Sequence, residues 1–399
     1  MLLSIDKSKP LTLGILGGGQ LAKMLALEAY RLGLNVAIID KEANTPAGDL
    51  TKLDFTKGWN DQTELAEFIE VSDIITLENE FIEPEILEYI SQKKQVFPTA
   101  QTMRLVQDKF IQKNVFAQNK IPLPKYEEIN SIDDLKLFGQ KFGYPFVVKT
   151  RTLGYDGYGN FTVQNENECL TAWQKFNSNH SLVRENLVRE NYSLVRKLMV
   201  EEFINFKAEL AVMVARSRSG KIAVYPCVET IQKNHICNQV IAPARIDIDI
   251  SLQAQEVATK AVEAIDGVGV FGIELFVDKN EQILVNEIAP RPHNSGHYTI
   301  EACFCSQYEN AIRAILDLPL GSTEMVKSAT CMINLLGERD GIGVPTNVTS
   351  MLEFNKVALH LYNKKTSRQG RKMGHITAIA DNIDDAINQA TDAFNKFVL

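Results

Sequence analysis

The clearest hydrophobic pattern in the chain is a pair of apolar runs, 271–277 and 283–289, on either side of a short polar stretch. Two such runs joined by a few polar residues predict a β-hairpin. Each run contains one carboxylate in an otherwise apolar setting, Glu274 in the first and Glu287 in the second. The pattern therefore predicts a hairpin whose two strands each contribute one glutamate.

The register of this hairpin decides whether the two glutamates meet. Because side chains alternate along a strand, Glu274 and Glu287 share a face only when the numbers of paired residues add to an odd number. Pairing of Val277 with Leu284 meets this condition, and a slip of one residue would separate the carboxylates.

The first hundred residues alternate short apolar runs with helical patterns. Four strands and two helices are predicted, the strands over 11–16, 36–39, 73–77 and 95–98 and the helices over 21–32 and 65–69. This alternation is typical of a parallel α/β sheet. A longer helix is predicted over 102–118, and the prolines at 122 and 124 end it.

The rest of the chain mixes strands and helices without that alternation. Strands are predicted over 146–149, 198–203, 208–215, 222–226, 330–336 and 357–361, and helices over 252–265, 306–316 and 383–397. This mixture predicts an α+β arrangement. A chain of 399 residues exceeds one ordinary core, so two or three domains are expected.

Composition and charge narrow the function classes. The chain is 45% hydrophobic and 23% charged, as in ordinary globular proteins, and its net charge of −8 argues against nucleic-acid binding. Its six cysteines form no C-x-x-C pair, which favours reduced thiols. We find neither a cleavable signal nor an apolar run of about 18 residues, so we expect a cytoplasmic protein with no membrane segment.

The two hairpin carboxylates require positive charge between them. Two buried carboxylates repel each other, and burial of each one is costly. Mg²⁺ is the favoured cation, because it accepts one or two carboxylates and completes its shell with water and substrate phosphates. The alternative is that Glu274 and Glu287 are exposed strand charges or partners in surface ion pairs.

A glycine-rich turn, 17–19, connects the first predicted strand to the first helix. Glycines let the backbone approach an anion, and the free N–H groups of a helix N-terminus can bind it. The glycines alone leave dinucleotide binding, phosphate binding and a plain tight turn equally open. Asp40, at the end of the second strand, lies where a ribose-binding acid could sit.

Other segments also combine charge with special backbone. Lys149 ends a buried-looking strand, and the glycine loop 154–160 that follows could fold over phosphates; a plain hairpin turn is the alternative. Glu78 and Glu80 follow a predicted parallel strand at its C-terminal end, where such sheets bind ligands; solvated loop charges are the alternative.

Two further stretches are candidates for anion binding. The loop 291–297 is rich in hydrogen-bond donors, and the run 364–372 holds five cations in an acidic protein. A solvated charged face is the alternative for the second stretch.

Taken together, these features resemble the ATP-grasp ligases, and within them the family of 5-(carboxyamino)imidazole ribonucleotide synthases. The motifs that carry the resemblance are GILGGGQLAKM, KTRTLGYDGYGN, VEEFINFKAELAV, GVFGIELF, NEIAPRPHNSGHYT and HLYNKKTSRQGRKMGHIT. They cover nearly the whole chain in the family's order.

The resemblance implies a three-domain fold. A Rossmann-like pre-ATP-grasp domain would span 1–105, an ATP-grasp domain 106–320 with a lid at about 125–200, and a small β-rich domain 321–399. It also implies that ATP, with Mg²⁺, phosphorylates bicarbonate to carboxyphosphate. The exocyclic amine of 5-aminoimidazole ribonucleotide then captures the carboxyl group, and the enzyme is expected to be a homodimer acting on small molecules.

The resemblance also implies roles for individual residues. The expected ATP-binding residues are Lys109, Lys149, Gly154, Tyr155, Asp156, Gly157, Tyr158, Gly159, Asn160, Glu201, Glu202, Phe203, Ile204, Glu209, Gln232, Asn286 and Glu287. The expected metal ligands are Glu274 and Glu287. The expected ribonucleotide-binding residues are Gly18, Gly19, Gln20, Leu21, Glu80, Tyr155, Asp156, Asn294, Ser295, Lys364 and Arg371. Asp156, Arg291, His293 and Lys364 are the expected catalytic residues, with Asp156 a candidate proton acceptor from the amine.

Some positions depart from the family pattern. Ala22 and Lys23 replace a usual Gly-Arg pair, Tyr158 replaces a basic residue, and Gln232 occupies a site that can be histidine. A tandem repeat at 182–196 resembles an insertion. These departures bear on loop closure rather than on the metal carboxylates.

Three other functions are weighed against the carboxylating ligase. A formate-using glycinamide ribonucleotide transformylase is disfavoured by the GRKMGH stretch, and a nicotinamide oxidoreductase leaves Glu274, Glu287 and Lys149 unexplained. A non-catalytic nucleotide-binding relic is disfavoured because both carboxylates and Lys149 are present.

Overall fold

The computed structural model describes residues 9–153, 159–177, 197–233, 236–346 and 348–397. Two segments singled out in the sequence, the loop residues 154–158 and the repeat at 182–196, lie outside these described residues.

An open parallel sheet of five strands forms the N-terminal part, and it confirms the α/β prediction. Its elements are β1 (Thr12–Leu16), α1 (Gln20–Arg31), β2 (Asn35–Ile39), β3 (Leu53–Phe55), α2 (Gln62–Val71), β4 (Ile74–Leu77), α3 (Pro84–Ser91) and β5 (Gln95–Phe97). The strand order is β3-β2-β1-β4-β5, and all neighbours are parallel. The sequence analysis missed β3 and α3, because both are short and β3 is only half-buried.

The single helix predicted over 102–118 is wrong. The structure has two helices, α4 (Ala100–Gln107) and α5 (Lys109–Gln118), separated by Asp108 in an extended conformation. The Asp108 carboxylate accepts the backbone N–H groups of Phe110 and Ile111 and so caps α5. The break therefore depends on a side-chain cap, which the apolar periodicity does not reveal.

A four-stranded antiparallel sheet follows, with two helices packed against it. Its elements are β6 (Tyr126–Ile129), α6 (Ile132–Phe142), β7 (Phe146–Thr150), β8 (Asn160–Val163), α7 (Glu168–Asn177) and β9 (Leu198–Glu202). The strand order is β6-β9-β7-β8. Phe138, Phe146 and Val148 are fully buried between the sheet and the helices, which fixes the strand that carries Lys149.

A nine-stranded sheet forms the centre of the molecule. Its chain region contains β10 (Ala208–Arg216), β11 (Ile222–Val224), β12 (Val228–Lys233), β13 (Ile236–Ala242), α8 (Ile248–Ala264), β14 (Gly269–Val277), β15 (Ile283–Ala289), α9 (Thr299–Ala302), α10 (Gln307–Ile315), β16 (Ala329–Leu336), β17 (Gly341–Ile342), α11 (Val348–Leu352), β18 (Val357–Leu361), β19 (Thr366–Ser367), β20 (Lys372–Ala380) and α12 (Ile383–Phe394). The sheet order is β15-β14-β10-β12-β13-β16-β20-β18, with β11 paired to β10.

The C-terminal strands extend this central sheet. Strand β16 pairs with β13 on one side and with β20 on the other, so the β-rich end of the chain is continuous with the sheet that carries the hairpin. The remaining strands, β17 and β19, pair with each other. This continuity was not anticipated from the sequence, because β13 and β16 are almost a hundred residues apart.

No disulfide joins the six cysteines, and five of them are buried. Among the described helices, none combines the length and the apolar character that a membrane crossing requires.

Candidate functional site

The hairpin predicted from the sequence is present as β14 and β15, but its loop closes in a different register. Val277 pairs with Ile283, so the predicted pairing of Val277 with Leu284 is wrong. The reason lies in the loop, where the Asp278 carboxylate accepts two backbone N–H groups at 2.8 Å each. Glu281 adopts a left-handed conformation with φ of 63°. This local geometry, which the alternation of side chains does not specify, closes the hairpin one residue earlier.

A β-bulge then restores the arrangement that the carboxylates need. Leu275 pairs with Val285, but the next pair is Glu274 with Glu287, so Asn286 is the extra residue on β15. Beyond the bulge the paired numbers add to an odd number. The bulge therefore places Glu274 directly across from Glu287, as the sequence analysis required, although by a different route.

Lysines from the other elements converge on this pair. Lys109, at the start of α5, forms an ion pair with Glu287. Lys149, on β7, lies 2.9 Å from Glu201 on β9 and 3.4 Å from the side-chain oxygen of Asn286. Residues of the four-stranded sheet thus meet residues of the central sheet at one place. The structure brings together the expected metal ligands, Glu274 and Glu287, and the expected ATP-binding residues Lys109, Lys149 and Asn286.

The charges in this cluster perturb one another. Burial and the charge of Glu287 raise the pKa of Glu274 to about 7. Burial opposes ionisation of Glu201, but the neighbouring lysines outweigh it and lower the pKa of Glu201 to about 2. Burial also opposes the charge of Lys109, yet Glu287 raises the pKa of Lys109 above its ordinary value. The positive charge around Glu274 is therefore too small to balance the two carboxylates. Two facing carboxylates are a set of ligands that suits Mg²⁺.

Sequence reasoning missed Lys113 and Arg151. Lys113 is 1% exposed, and its ammonium nitrogen lies 3.3 Å from Glu201. Its signal in the sequence was the four-residue spacing from Lys109, which places both lysines on one face of a helix. Arg151 binds Asp108 through three contacts of 2.6–3.1 Å and thereby attaches the start of α5 to the end of β7.

Four further expected ATP-binding residues, Glu202, Phe203, Ile204 and Glu209, lie at the junction of the two sheets. Phe203 and Ile204 belong to the segment that leads from β9 to β10, and Phe203 is exposed. Glu202 closes β9, and Glu209 lies near the start of β10. Burial raises the pKa of Glu209 to about 7. Gln232 lies further along the sheet, at an irregularity in β12.

The structure describes only the end of the expected phosphate loop. Gly159 has φ of 86°, and its carbonyl accepts the Thr150 N–H at 2.9 Å. Asn160 pairs with Lys149 in the ladder between β7 and β8. The assignments of Gly154, Tyr155, Asp156, Gly157 and Tyr158 fall outside the described residues and stay predictions.

The glycine turn of the N-terminal sheet binds the chain's own carboxylates. The Gly18 N–H donates to Asp40 at 2.6 Å, and the Gly19 N–H donates to Glu78 at 3.1 Å. A Cβ on Gly19 would lie 2.8 Å from the Glu78 carboxylate, so this contact requires glycine. Of the three interpretations that the glycines left open, these contacts favour the tight turn in this structure, and the placement of Gly18 and Gly19 at the ribonucleotide stays a prediction.

The first turn of α1 continues the same contact. The Ala22 N–H lies 3.4 Å from the second carboxylate oxygen of Glu78. Burial, together with the charge of Asp40, raises the pKa of Glu78. Gln20 is half-buried, whereas Leu21 lies in the core, so the Leu21 side chain cannot contact a ligand without repacking.

The C-terminal cations lie within electrostatic reach of this turn. Burial, reinforced by Arg371, lowers the pKa of Lys364 to about 7, and Glu78 opposes this shift. The Lys364 nitrogen lies 5.8 Å from the ring centre of Tyr362. Arg371 donates to the Thr366 carbonyl at 2.9 Å. The structure thus brings Lys364 near Glu78 of the N-terminal part, with Arg371 close to Lys364.

Glu80 and Arg291 bind each other. The Arg291 guanidinium contacts both carboxylate oxygens of Glu80, one of them at 2.6 Å. Burial opposes the ionisation of Glu80, but Arg291 outweighs it and keeps the pKa of Glu80 below its ordinary value. Glu80, an expected ribonucleotide contact, and Arg291, an expected catalytic residue, are therefore adjacent.

His293 is a neutral imidazole beside Glu274. Burial and the charge of Arg291 lower the pKa of His293 to about 3. The His293 Nδ1 atom lies 2.8 Å from the Ser295 hydroxyl and 3.4 Å from the Ser295 backbone nitrogen, and the Nε2 atom lies 3.5 Å from Glu274. Ser295 is buried under this ring, and the side-chain amide of Asn294 is hydrogen-bonded in both directions to that of Asn334.

Another cluster of possible metal ligands is found among the described residues. Glu301, His360 and His375 have ligand atoms within 4.8 Å of one another. The two imidazole rings stack with centroids 4.4 Å apart and an angle of 10°, so one ion could not lie in both ring planes. His360 instead contacts Glu301 at 2.6 Å, and His375 contacts Tyr362 at 2.8 Å. This cluster links α9 to β18 and β20.

Comparison with known proteins adds three family matches along the chain. Residues 11–107 match the ribonucleotide synthetase preATP-grasp domain, residues 114–308 match the ATP-grasp domain, and residues 330–389 match the phosphoribosylaminoimidazole carboxylase C-terminal domain.

Curated relatives match over nearly the whole chain. The N5-carboxyaminoimidazole ribonucleotide synthase of Bacillus subtilis is 33% identical over 380 residues, which are 95% of this chain and 94% of that protein. The phosphoribosylaminoimidazole carboxylase of Schizosaccharomyces pombe is 40% identical over 381 residues, which are 94% of this chain and 66% of that protein. The chain thus spans about two thirds of the length of the fungal carboxylases it matches.

Solved structures also match over nearly the whole chain. The N5-carboxyaminoimidazole ribonucleotide synthetase of Thermotoga maritima has a TM-score of 0.83 and 38% identity, covering 97% of this chain and 98% of that one. The N5-carboxyaminoimidazole synthase of Aspergillus clavatus, in complex with ADP and 5-aminoimidazole ribonucleotide, has a TM-score of 0.84 and 34% identity, covering 96% of this chain and 98% of that one.

Proposed function

Because the chain belongs to the N5-carboxyaminoimidazole ribonucleotide synthase family of ATP-grasp ligases, we propose that it carboxylates 5-aminoimidazole ribonucleotide with bicarbonate and ATP. The products would be N5-carboxyaminoimidazole ribonucleotide, ADP and phosphate. The proposal follows the B. subtilis synthase, whose length the chain covers almost completely, rather than the longer fungal carboxylases.

The meeting of Glu274 and Glu287 with Lys109 and Lys149 is the observation that carries the proposal. Lys149 comes from the four-stranded sheet, Lys109 from α5 and the two glutamates from the central sheet, so a nucleotide held at their junction would have its phosphates between two lysines and two carboxylates. Phosphoryl transfer depends mainly on positioning and on charge neutralisation, and this cluster can supply both.

Glu274 and Glu287 are the residues that would hold Mg²⁺, with Asn286 beside them. The ion would neutralise charge on the phosphates when it is bound. Lys109 and Lys149 would bind phosphate oxygens, which requires each lysine to exchange part of its present carboxylate contact for the nucleotide. The His293 side chain would help to hold the anion formed from bicarbonate.

The ribonucleotide would lie between the N-terminal sheet and the C-terminal cations. Lys364 and Arg371 would bind its phosphate, and Glu80 would contact the sugar or base. Arg291, beside Glu80, would hold the bicarbonate-derived anion close to the amine. Asp156 remains the proposed proton acceptor, by resemblance to the family. We further propose the domain limits 1–105, 106–320 and 321–399, a homodimer, and a cytoplasmic location.

The experiment that tests this function is ADP release with ATP, Mg²⁺ and bicarbonate, with and without 5-aminoimidazole ribonucleotide. We expect strong stimulation by the ribonucleotide, and loss of the stimulation when bicarbonate is depleted. Formate in place of bicarbonate is the control for the transformylase alternative. ADP release that is indifferent to both bicarbonate and the ribonucleotide would contradict the proposal.

A further inference from the structure

The bulge at Asn286 controls the metal carboxylates, because it is the single feature that brings Glu274 opposite Glu287. An extra residue in a ladder is not paired by the neighbouring strand, and its polar backbone groups need other partners. The contacts of Asn286 therefore determine whether the bulge, and with it the carboxylate pair, keeps its geometry.

Lys113 supplies one of these contacts. Its ammonium nitrogen lies 3.4 Å from the backbone carbonyl of Asn286 and 3.3 Å from Glu201 Oε1. Lys149 makes the parallel pair of contacts, 2.9 Å to Glu201 Oε2 and 3.4 Å to the Asn286 side chain. Glu201 thus binds one lysine with each oxygen, and both lysines reach the bulge residue.

Lys113 lies deeper than the residues that face the nucleotide. Its side chain is 2% exposed, whereas the side chains of Lys109 and Lys149 are 14% and 12% exposed. Burial lowers the pKa of Lys113 to about 8, so the group is still mainly charged at pH 7. At this depth Lys113 cannot contact a phosphate directly. It contacts the side of the cluster that faces the protein interior.

The helix that carries Lys113 is fixed to the opposing sheet. Asp108 caps α5, and Arg151 binds the same carboxylate from the end of β7. Lys109 and Lys113 are one helical turn apart on this anchored helix. The helix can therefore hold the bulge in place relative to β7.

We propose that Lys113 is a positioning residue for phosphoryl transfer: it holds the Asn286 carbonyl, and thereby the bulge that pairs Glu274 with Glu287, while sharing Glu201 with Lys149. This inference rests on the proposed function, because it assumes that the carboxylate pair binds the metal of the nucleotide complex.

The test compares Lys113→Met and Lys113→Gln with the wild-type chain. Methionine keeps an unbranched side chain of nearly the same length without its charge, and Glu201 retains Lys149 as a partner. Glutamine keeps an N–H donor that can reach toward Asn286, and it carries the test if the methionine variant does not fold. Gln112→Met is the matched control, because Gln112 is 2% exposed on the same helix but binds Val106.

The first measurement is Mn²⁺ binding in the presence of saturating ADP, followed by electron paramagnetic resonance. We expect Lys113→Met to weaken Mn²⁺ binding about 10-fold or more, as is typical when a group that orients a metal ligand is removed. The affinity of Lys113→Gln for Mn²⁺ should lie between those of the methionine variant and the wild type. Gln112→Met should lower the thermal midpoint and leave Mn²⁺ binding unchanged.

The second measurement is steady-state kinetics. The Mg²⁺ concentration for half-maximal rate should rise and kcat should fall in Lys113→Met, while KM for the ribonucleotide stays constant. Wild-type Mn²⁺ binding in both folded Lys113 variants, or a loss of stability with unchanged metal dependence, would overturn the inference. Because Mn²⁺ binding with ADP requires no carboxylation, failure of the proposed reaction would remain distinguishable from failure of the positioning role.

Discussion

Arg291 forms a two-point ion pair with Glu80, which is 211 residues away in the chain. Glu80 follows β4 of the N-terminal sheet, and Arg291 follows β15 of the central sheet. Both side chains are largely buried, so each group depends on the other for its charge. The pair therefore connects the N-terminal sheet to the loop that carries His293.

Removal of the carboxylate from this pair should destabilise the fold. Glu80→Gln leaves the Arg291 guanidinium without its counter-charge, and we expect a loss of about 1–3 kcal/mol at pH 7. The pKa of Glu80 is lowered by folding, so its contribution is present above the ordinary glutamate pKa and is lost as the pH falls through the folded-state value. Thermal denaturation of both proteins between pH 7 and pH 4 measures this difference.

The control for this variant is Glu88→Gln. Glu88 pairs with Arg104 at 2.8 Å, but both side chains are more than a third exposed. Exposed ion pairs are screened by solvent and contribute little to stability, so this variant should denature almost as the wild type does. Equal stability of Glu80→Gln and Glu88→Gln at pH 7 would show that the buried pair does not hold the two sheets together.

Glu287→Gln should abolish most turnover while the fold persists. The change removes one of the two facing carboxylates and leaves Lys109 with a weaker partner, so we expect kcat to fall by about 10²-fold or more. ADP release and thermal denaturation are the measurements. Glu281→Gln, in the loop of the same hairpin, is the control and should retain activity. Turnover of Glu287→Gln close to the wild-type rate would remove the metal assignment.

Binding of the ribonucleotide should take up a proton at Lys364. Burial lowers the pKa of Lys364 to about 7, so at pH 8 the free amine is mostly neutral. A phosphate group bound to it favours the ammonium form and raises its pKa, and at pH 8 the uptake should approach about one proton per complex. The phosphate itself adds little, because its second pKa is near 6.

Isothermal titration calorimetry at pH 8 in buffers of different ionisation enthalpy measures this uptake. The slope of the binding enthalpy against the buffer enthalpy should be close to zero in Lys364→Met and unchanged in Lys365→Met, whose lysine is the exposed neighbour. A slope of zero in the wild type would place the phosphate elsewhere.

Arg371→Ala should weaken ribonucleotide binding selectively. A charge-assisted hydrogen bond to phosphate contributes about 1.5–3 kcal/mol, so KM for the ribonucleotide should rise by about 10-fold or more while KM for ATP stays constant. Initial-rate kinetics with each substrate varied separately is the measurement. Arg104→Ala, on the surface of α4, provides the control. An unchanged KM for the ribonucleotide would exclude Arg371 from the phosphate site.

Much of the fold follows from local patterns in the sequence. Four of the five strands of the N-terminal sheet, the strand that carries Lys149 and both strands of the hairpin lie close to where the apolar runs predict them. Apolar periodicity is a property of neighbouring residues, and it therefore survives without knowledge of the rest of the molecule. The break between α4 and α5 was not predicted, because the apolar pattern continues across it. The break depends on the side chain of Asp108, which caps α5.

The sequence also determined which residue types carry the chemistry. It identified Glu274, Glu287 and Lys149 as charged groups in apolar strands, and a charge in such a position requires a partner whatever the fold. It could not identify those partners, because Lys149 meets Asn286 across 137 residues of chain.

Tertiary structure alone decided the register, the partners and the depth of each group. The hairpin loop shifts the pairing of the two strands by one residue, and the bulge at Asn286 shifts it back. The alternation of side chains is satisfied equally well by either register, so it does not specify which one forms. The glycine turn likewise binds Asp40 and Glu78 instead of leaving its N–H groups free, since folding brings β4 beside β1. Local sequence specifies the elements and their charged residues, whereas the packing of distant strands determines which charges meet and which remain exposed to a substrate.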